Sequence, residues 1–187
     1  MPRIGVLAFQ GDVREHQRAI EAIGVKSTQI RRPAELENID GLVIPGGEST
    51  TIANLATRFE MVRPLQKAIN SGLPTLGTCA GLIFLAAGIT EGEQPLLGVL
   101  DVVVQRNAFG RQNESFEADL TVLGLDEPFH AVFIRAPWVA KIGEGVEVLA
   151  SFANHPVMVR QDKVLGSSFH PELTGDPRLH KMLLDLI

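Results

Sequence analysis

The only cysteine of the chain, Cys79, stands in the run Gly77-Thr78-Cys79-Ala80-Gly81, between the apolar stretch Leu73 to Gly77 and a helical pattern. A thiol on a strand-to-helix elbow is pushed out of the sheet, and small neighbours let the backbone make the tight turn. Amides opening the helix point at the same spot, where they favour a thiolate and donate to an oxyanion. The alternative is a small buried hydrophobe, a common role for free cysteine. The elbow pattern alone leaves both open.

His170-Pro171-Glu172 follows a second apolar run, Val164 to Phe169. A histidine at a strand's end can reach across the carboxyl edge of an open α/β sheet, where sites form. Glu172 could accept its other ring proton and fix the tautomer. Taken alone, the pair reads more readily as a surface-loop histidine and a solvated acid. The other four histidines lack such a partner in the local sequence: His16 and His180 fall on helical patterns, His130 in a turn-like stretch, and His155-Pro156 is followed by Val157 where an acid would be. All four read as structural or solvated. Pro45-Gly46-Gly47-Glu48-Ser49-Thr50-Thr51 is a glycine-rich turn between strand and helix patterns. It lacks the Walker lysine and its spacing. Gly46 and Gly47 would let backbone amides approach a substrate closely, although a plain tight turn fits too. A thiol, a histidine with its acid and an amide nest at neighbouring strand ends are what acyl transfer from an amide needs.

The elements that must position these groups alternate short apolar runs with helical patterns, as in a parallel sheet covered by helices. Strands are expected at Ile4 to Phe9, Val25 to Ile30, Gly41 to Ile44 and Leu73 to Gly77. Helices are expected from Asp12, in a capping box with Glu15, to Gly24; after a Ser49 or Thr50 cap; over Met61 to Asn70; and over Cys79 to Ala87. Beyond Gly92 the pattern becomes strand-rich, at Leu97 to Gln105, Phe116 to Leu123, Ala131 to Ile134, Val146 to Phe152, Val157 to Arg160 and Val164 to Phe169. A closing helix is expected over Arg178 to Ile187. With no repeat or linker, residues 1–187 read as a single domain.

Bulk composition narrows the function further. Hydrophobic residues at 45% argue against disorder, and the net charge of -5 without any Lys/Arg cluster argues against nucleic acid. One cysteine permits neither an internal disulfide nor a multi-thiolate zinc site. No dinucleotide fingerprint is present, so neither a cofactor nor a metal is expected. The opening apolar run is too short to span a membrane and carries no cleavage site, so a cytoplasmic location is expected. Asn113-Glu114-Ser115 matches a glycosylation pattern that has meaning only in a secreted chain.

Six segments carry a resemblance to known proteins: Gly5 to Gly11 with Arg14-Glu15-His16, Pro45 to Thr51, Gly77 to Gly81, Arg106 to Gln112, Phe133 to Pro137, and Ser168 to Thr174. In this order they resemble the class I (triad) glutamine amidotransferases, and within them the glutaminase subunits of pyridoxal 5'-phosphate synthases. The resemblance implies a three-layer, flavodoxin-like open mixed sheet, mainly parallel, with helices on both faces. It implies that Cys79 attacks the carboxamide of L-glutamine, that His170 shuttles the proton, and that Glu172 orients His170. Gly47 and Ala80 would supply the oxyanion-hole amides. The turn Gly46, Gly47, Glu48 and Ser49, with Arg106, Ile134 and Arg135, would hold the amino-acid end of the substrate. It further implies docking on a (β/α)8-barrel synthase subunit that receives the ammonia, with Gln10 at the position that responds to that partner. The Gly46–Gly47 peptide is flexible enough that the isolated subunit is expected to lack a formed oxyanion hole.

Overall fold

The computed structural model describes residues 1–109 and 115–187 of the 187. Residues 110–114 lie outside it, and with them the Gly110 to Gln112 part of one resemblance segment and Asn113-Glu114 of the glycosylation pattern. The first half contains β1 (Arg3–Leu7), α1 (Val13–Ala22), β2 (Lys26–Ile30), β3 (Gly41–Ile44), α2 (Ser49–Arg58), α3 (Val62–Asn70), β4 (Thr75–Thr78) and α4 (Ala80–Leu85). The second contains β5 (Ala86–Ile89), β6 (Leu100–Gln105), β7 (Ser115–Leu120), β8 (Phe129–Ile134), β9 (Trp138–Ile142), β10 (Glu147–Phe152), β11 (His155–Gln161), β12 (Val164–Ser167) and α5 (Arg178–Leu184).

Seven strands form the main sheet in the order β10-β11-β12-β4-β3-β1-β2. The five from β12 to β2 run parallel, and β11 and β10 extend the edge antiparallel. Every residue of β3, β4 and β12 is buried, which explains their continuous apolar runs. Side chains alternate across the sheet. Leu42 and Ile44 point into one core with Ile52, Leu65 and Phe84, whereas Ile4, Val6, Val43, Leu76 and Leu165 point into the other with Ile20, Phe133 and Leu179. Helices α2, α3 and α4 supply the first layer; α1, α5 and the β7–β8 ribbon supply the second. The parallel strands bring the ends of β1, β3, β4 and β12 to one carboxyl edge, where Gln10, Gly46, Cys79 and His170 follow them. Among the described residues no helix is long and apolar enough to cross a membrane.

Several sequence expectations shift. The helix expected through Ala87 stops at Leu85, and Ala86 turns extended into β5, which pairs with β6. Tertiary hydrogen bonds decide this: Leu97, Gly98 and Val99 donate to the carbonyls of Phe84, Ala86 and Leu85. The same clamp removes residues 97–99 from the expected strand, which starts at Leu100. β9 was not expected, because Val139 is its only fully buried residue and the segment shows no clear alternation. It pairs with β6 to complete a three-stranded sheet separate from the main one, so strands beyond Gly92 do not all extend one sheet. A 3-10 turn at Pro33–Asn38, also unforeseen, joins β2 to β3. The closing helix ends at Leu184 rather than Ile187.

Candidate active site

Cys79 occupies the elbow between β4 and α4 with φ 49 and ψ -103, outside the regions favoured by residues with a Cβ. Its N–H donates to the Ser167 carbonyl at 2.7 Å, and its carbonyl accepts from Ile83 N, so both sides of the turn are held. The flanking glycines are required by packing. A Cβ on Gly77 would lie 2.4 Å from Leu85 Cδ1 and 2.8 Å from the Gly81 backbone; one on Gly81 would lie 2.0 Å from the Ile44 carbonyl oxygen. The thiol is 7% exposed, with Sγ 3.9 Å from the Ile134 carbonyl oxygen.

His170 follows β12 and is tied by its N–H to the Val132 carbonyl of β8. Its ring packs against Gly46, where a Cβ would come within 2.5 Å of Cε1. Nδ1 is 2.7 Å from Glu172 Oε1 and 3.3 Å from Asp12 Oδ2, and Cys79 lines the same cleft as the ring. Burial opposes a charged imidazole, but Asp12, Cys79 and Glu172 together outweigh it and hold the pKa up to about 12. His170 is therefore an imidazolium at neutral pH, suited to a thiolate partner. Burial raises Glu172, and the adjoining His170 charge opposes this; with that charge 2.7 Å away, the pair carries a carboxylate and an imidazolium.

Asp12 is the residue that sequence reasoning assigned elsewhere. It stands at the α1 N-cap, yet its side chain makes no capping hydrogen bond and turns to His170. The expected capping box is absent for that reason. Asp12, His170 and Glu172 each offer a ligand atom within 4.8 Å of the others. The Nδ1 proton between two carboxylates already supplies the positive charge that a cation would bring there.

Cys79, His170 and Asp12 open onto a cleft of about 400 Å³, lined also by Gly47, Glu48, Ser49, Ala80, Arg106, Ile134 and Arg135. This is at the small end for ligand pockets and matches a substrate of amino-acid size. Of the expected site residues, Gly46 backs His170, Glu172 lies behind it, and Gln10 faces a separate cleft with Arg14 and Arg31. The α2 cap is Glu48 rather than Ser49 or Thr50. Its carboxylate accepts from Thr50 N, Thr51 N and the Thr51 hydroxyl, and its pKa is lowered mainly by that hydroxyl. Glu48 therefore has its side chain committed to the helix. The Glu48 N–H donates to Gln10 Oε1 at 2.7 Å, and the Gly46 carbonyl accepts from Asp12 N. Gln10 thus holds the glycine turn directly.

Arg106 has no carboxylate partner among the described residues. Its guanidinium donates to Gln94 Oε1 at 3.2 Å and to the Glu91 carbonyl at 3.4 Å, and the Ser49 hydroxyl reaches the same Gln94 oxygen. Gln94 was missed because a lone glutamine in a polar loop carries no sequence signal. The histidines read as structural or solvated divide. His155 stacks on Trp138 at 3.6 Å, and exposed His130 bonds Asp119 and Glu117 from within β8 rather than from a turn. His16 and His180 are helical as expected, but both are buried together behind Glu172.

The comparisons agree with this geometry. Residues 6–187 match the model of the SNO glutamine amidotransferase family. A protein of Parafrankia sp. (strain EAN1pec) described as pyridoxal 5'-phosphate synthase subunit PdxT is 59% identical, covering 100% of this chain and 93% of its own. A crystal structure described as a glutamine amidotransferase superposes with TM-score 0.94 at 55% identity, covering 98% of this chain and 97% of that one. A structure described as PurLQS from Thermotoga maritima shares the fold at TM-score 0.72 and 16% identity, covering 98% of this chain and 98% of that one. The chain belongs to the SNO glutamine amidotransferase family, with the class I glutamine amidotransferase-like α/β fold.

Proposed function

We propose that this chain is the glutaminase subunit of a pyridoxal 5'-phosphate synthase, hydrolysing L-glutamine to L-glutamate and ammonia, with residues 1–187 acting as one unit. The observation that carries the reading is Cys79 on its strained elbow beside an imidazolium that Glu172 holds at 2.7 Å, with the thiol and the ring facing a cleft whose Arg106 has no carboxylate partner among the described residues.

The Cys79 thiolate attacks the carboxamide carbon, and the resulting oxyanion takes amides from Gly47 and Ala80. His170 gives its proton to the departing nitrogen, the C–N bond breaks to release ammonia, and a glutamyl-thioester remains on Cys79. Water then attacks that thioester, His170 takes a proton from it, and glutamate leaves as the thiolate is restored. Arg106, oriented by Gln94, suits the substrate's α-carboxylate. Ser49, Ile134 and Arg135 complete the amino-acid end, Gly46 gives the imidazole room, and Glu48 contributes backbone while its side chain caps α2.

Released ammonia is mostly protonated at neutral pH and loses its nucleophilicity, so a dry route to a second subunit preserves it. The partner is a (β/α)8-barrel synthase subunit in a hetero-oligomer. Gln10 links a second cleft to the glycine turn and so is placed to report docking. The cytoplasm, where a lone thiol stays reduced, is the working compartment.

Glutamate release is measured from glutamine with and without a pyridoxal 5'-phosphate synthase barrel subunit, with Cys79→Ala as control. Turnover that rises with the partner and vanishes in the variant is expected. Full activity in Cys79→Ala would refute the chemistry.

A further inference from the structure

Two buried histidines lie behind the triad acid, and no step above uses them. His16 of α1 is fully buried; its Nδ1 is 2.9 Å from His180 Nε2 of α5, and its Nε2 is 3.1 Å from Thr78 Oγ1 of β4. The same Nε2 lies 3.3 Å from Glu172 Oε2, the carboxylate oxygen that faces away from His170. In the resting geometry Glu172 Oε2 and His180 Nδ1 are buried without a hydrogen bond. The charged and titratable groups around Glu172 are His170 and Asp12 in front and His16 behind. Glu15, Arg18 and Asp176 line the cleft of about 220 Å³ that Glu172 also borders.

The available donors and acceptors select one arrangement of protons. If His16 carried its proton on Nδ1, a nitrogen lone pair would face the Glu172 carboxylate, and His180 would bury an unpaired N–H. With the proton on Nε2, His16 offers a donor to Thr78 Oγ1 and Glu172 Oε2, and its Nδ1 accepts from His180 Nε2–H. A lone pair on His180 Nδ1 and the Thr78 hydroxyl proton, which has no acceptor other than His16 among the described residues, are then left over; what decides is that no ring lone pair is forced against the Glu172 carboxylate. Burial lowers both histidines, His16 well below the usual range and His180 to about 4, so each ring carries a single proton.

We propose that His16, held in its Nε2–H tautomer by His180, is a positioning residue that fixes the plane and the ionised state of Glu172. The chain of groups then runs from α5 through α1 to the triad: His180 donates to His16, His16 to Glu172 Oε2, and Glu172 Oε1 accepts from His170. Metal-bound histidines are oriented by similar outer partners, whose loss commonly costs ten- to a hundredfold. This inference rests on the reading of Glu172 as the triad acid.

The test uses the full chain in complex with the barrel subunit. His16→Met fills the space without a donor, whereas His16→Gln restores a donor near the Nε2 position. His16→Met is expected to lower kcat by about ten- to a hundredfold with little change in KM. It should also move the acid limb of the pH profile upward, since the ionised Glu172 loses its donor; His16→Gln should recover most of both. His180→Leu, which leaves His16 in place, should shift the same limb in the same direction by less. Nitrogen NMR of histidine-labelled protein supplies a readout independent of turnover: His16 and His180 should both report the Nε2–H tautomer. An Nδ1–H tautomer at His16 overturns the proposal. So does an unmoved acid limb in His180→Leu, which also decides the matter if His16→Met does not fold. If the wild-type complex shows no turnover, the glutaminase reading has failed, and the tautomers still judge the His16–Glu172 contact.

Discussion

Replacing Gly81 by alanine should damage catalysis as well as stability, although Gly81 touches no substrate. A Cβ there would sit 2.0 Å from the Ile44 carbonyl oxygen, 2.9 Å from its carbon and 3.2 Å from Cγ2. The first two are backbone atoms at the end of β3, which is paired with both β1 and β4 in the middle of the sheet. No rotamer relieves the clash, so α4 must retreat by about 1.5 Å before carbon and oxygen reach van der Waals contact. Its first residue, Ala80, follows Cys79 directly, whereas His170 stays anchored on β12 and β8. A misplacement of about 1 Å costs roughly a hundredfold in rate. Overpacking of this kind destabilises by about 1–3 kcal/mol, and each kcal/mol lowers Tm by about 2–4 °C in a chain of this size. Steady-state glutamate release by the complex and thermal unfolding measure the two effects. Gly88→Ala is the control, because its added Cβ meets only Val103 Cγ2 at 3.7 Å. If Gly81→Ala keeps kcat/KM within threefold of wild type and Tm within about 1 °C, the claim that packing against Ile44 sets the nucleophile's position is wrong.

Other perturbations read other parts of the site. Asp12→Asn removes one of the groups that hold His170 up to about 12, so the alkaline limb of the kcat/KM profile should move to lower pH. The same change alters stability with a definite sign. A raised histidine pKa stabilises fully below about 6.5 and is lost as pH rises through the folded value, so urea titrations should show that loss at lower pH in the variant. Glu172→Gln leaves an oxygen for Nδ1 but removes its charge, and kcat should fall by about 10²–10⁴-fold. Arg106→Met should raise the KM for glutamine about 10- to 100-fold, with kcat much less affected, because it removes a charge-assisted bond of about 1.5–3 kcal/mol present throughout the reaction. Gln94→Leu should move KM in the same direction by less, through a less fixed guanidinium.

The parallel core was legible because its strands are buried on both faces and bounded by glycine: β3 and β4 were placed within two residues. The candidate site was legible where unusual residue types stand at fixed offsets, as in Gly77-Thr78-Cys79-Ala80-Gly81 and His170-Pro171-Glu172, which the fold brings to one sheet edge. What stayed hidden depends on contacts distant in sequence. The end of α4 is set by amides of residues 97–99, which close on its carbonyls only in the folded chain. Asp12 reads as a cap because its local sequence fits one, yet a histidine 158 positions away claims the side chain. His16 and His180 are separated by 164 residues, and no local pattern distinguishes a buried histidine pair from two histidines on wet helix faces.

Backbone strain gathers where the sequence offers no explanation for it. Cys79, Asn107 and Arg135 have φ of 49, 45 and 46, all carry a Cβ, and all line the same cleft. Each such residue costs about 1–3 kcal/mol, so glycine would be the easier solution at all three. A hairpin tip such as Ala153-Asn154 needs left-handed residues merely to turn the chain, and there the strain yields only a tight connection. Around the cleft the Cβ is retained because the side chain is what the position supplies: a thiol at 79 and a guanidinium at 135. The strain also has a geometric use. A left-handed residue after an extended strand throws its side chain out of the alternating pattern, so Cys79 leaves the plane of β4 and Arg135 leaves that of β8, both toward the same space. The surrounding sheet holds them there through the Cys79–Ser167 and His170–Val132 backbone bonds. Those bonds join β4 to β12 and β12 to β8, so Cys79, His170 and the arginine-bearing turn are fixed by one continuous stretch of backbone pairing rather than by three independent loops.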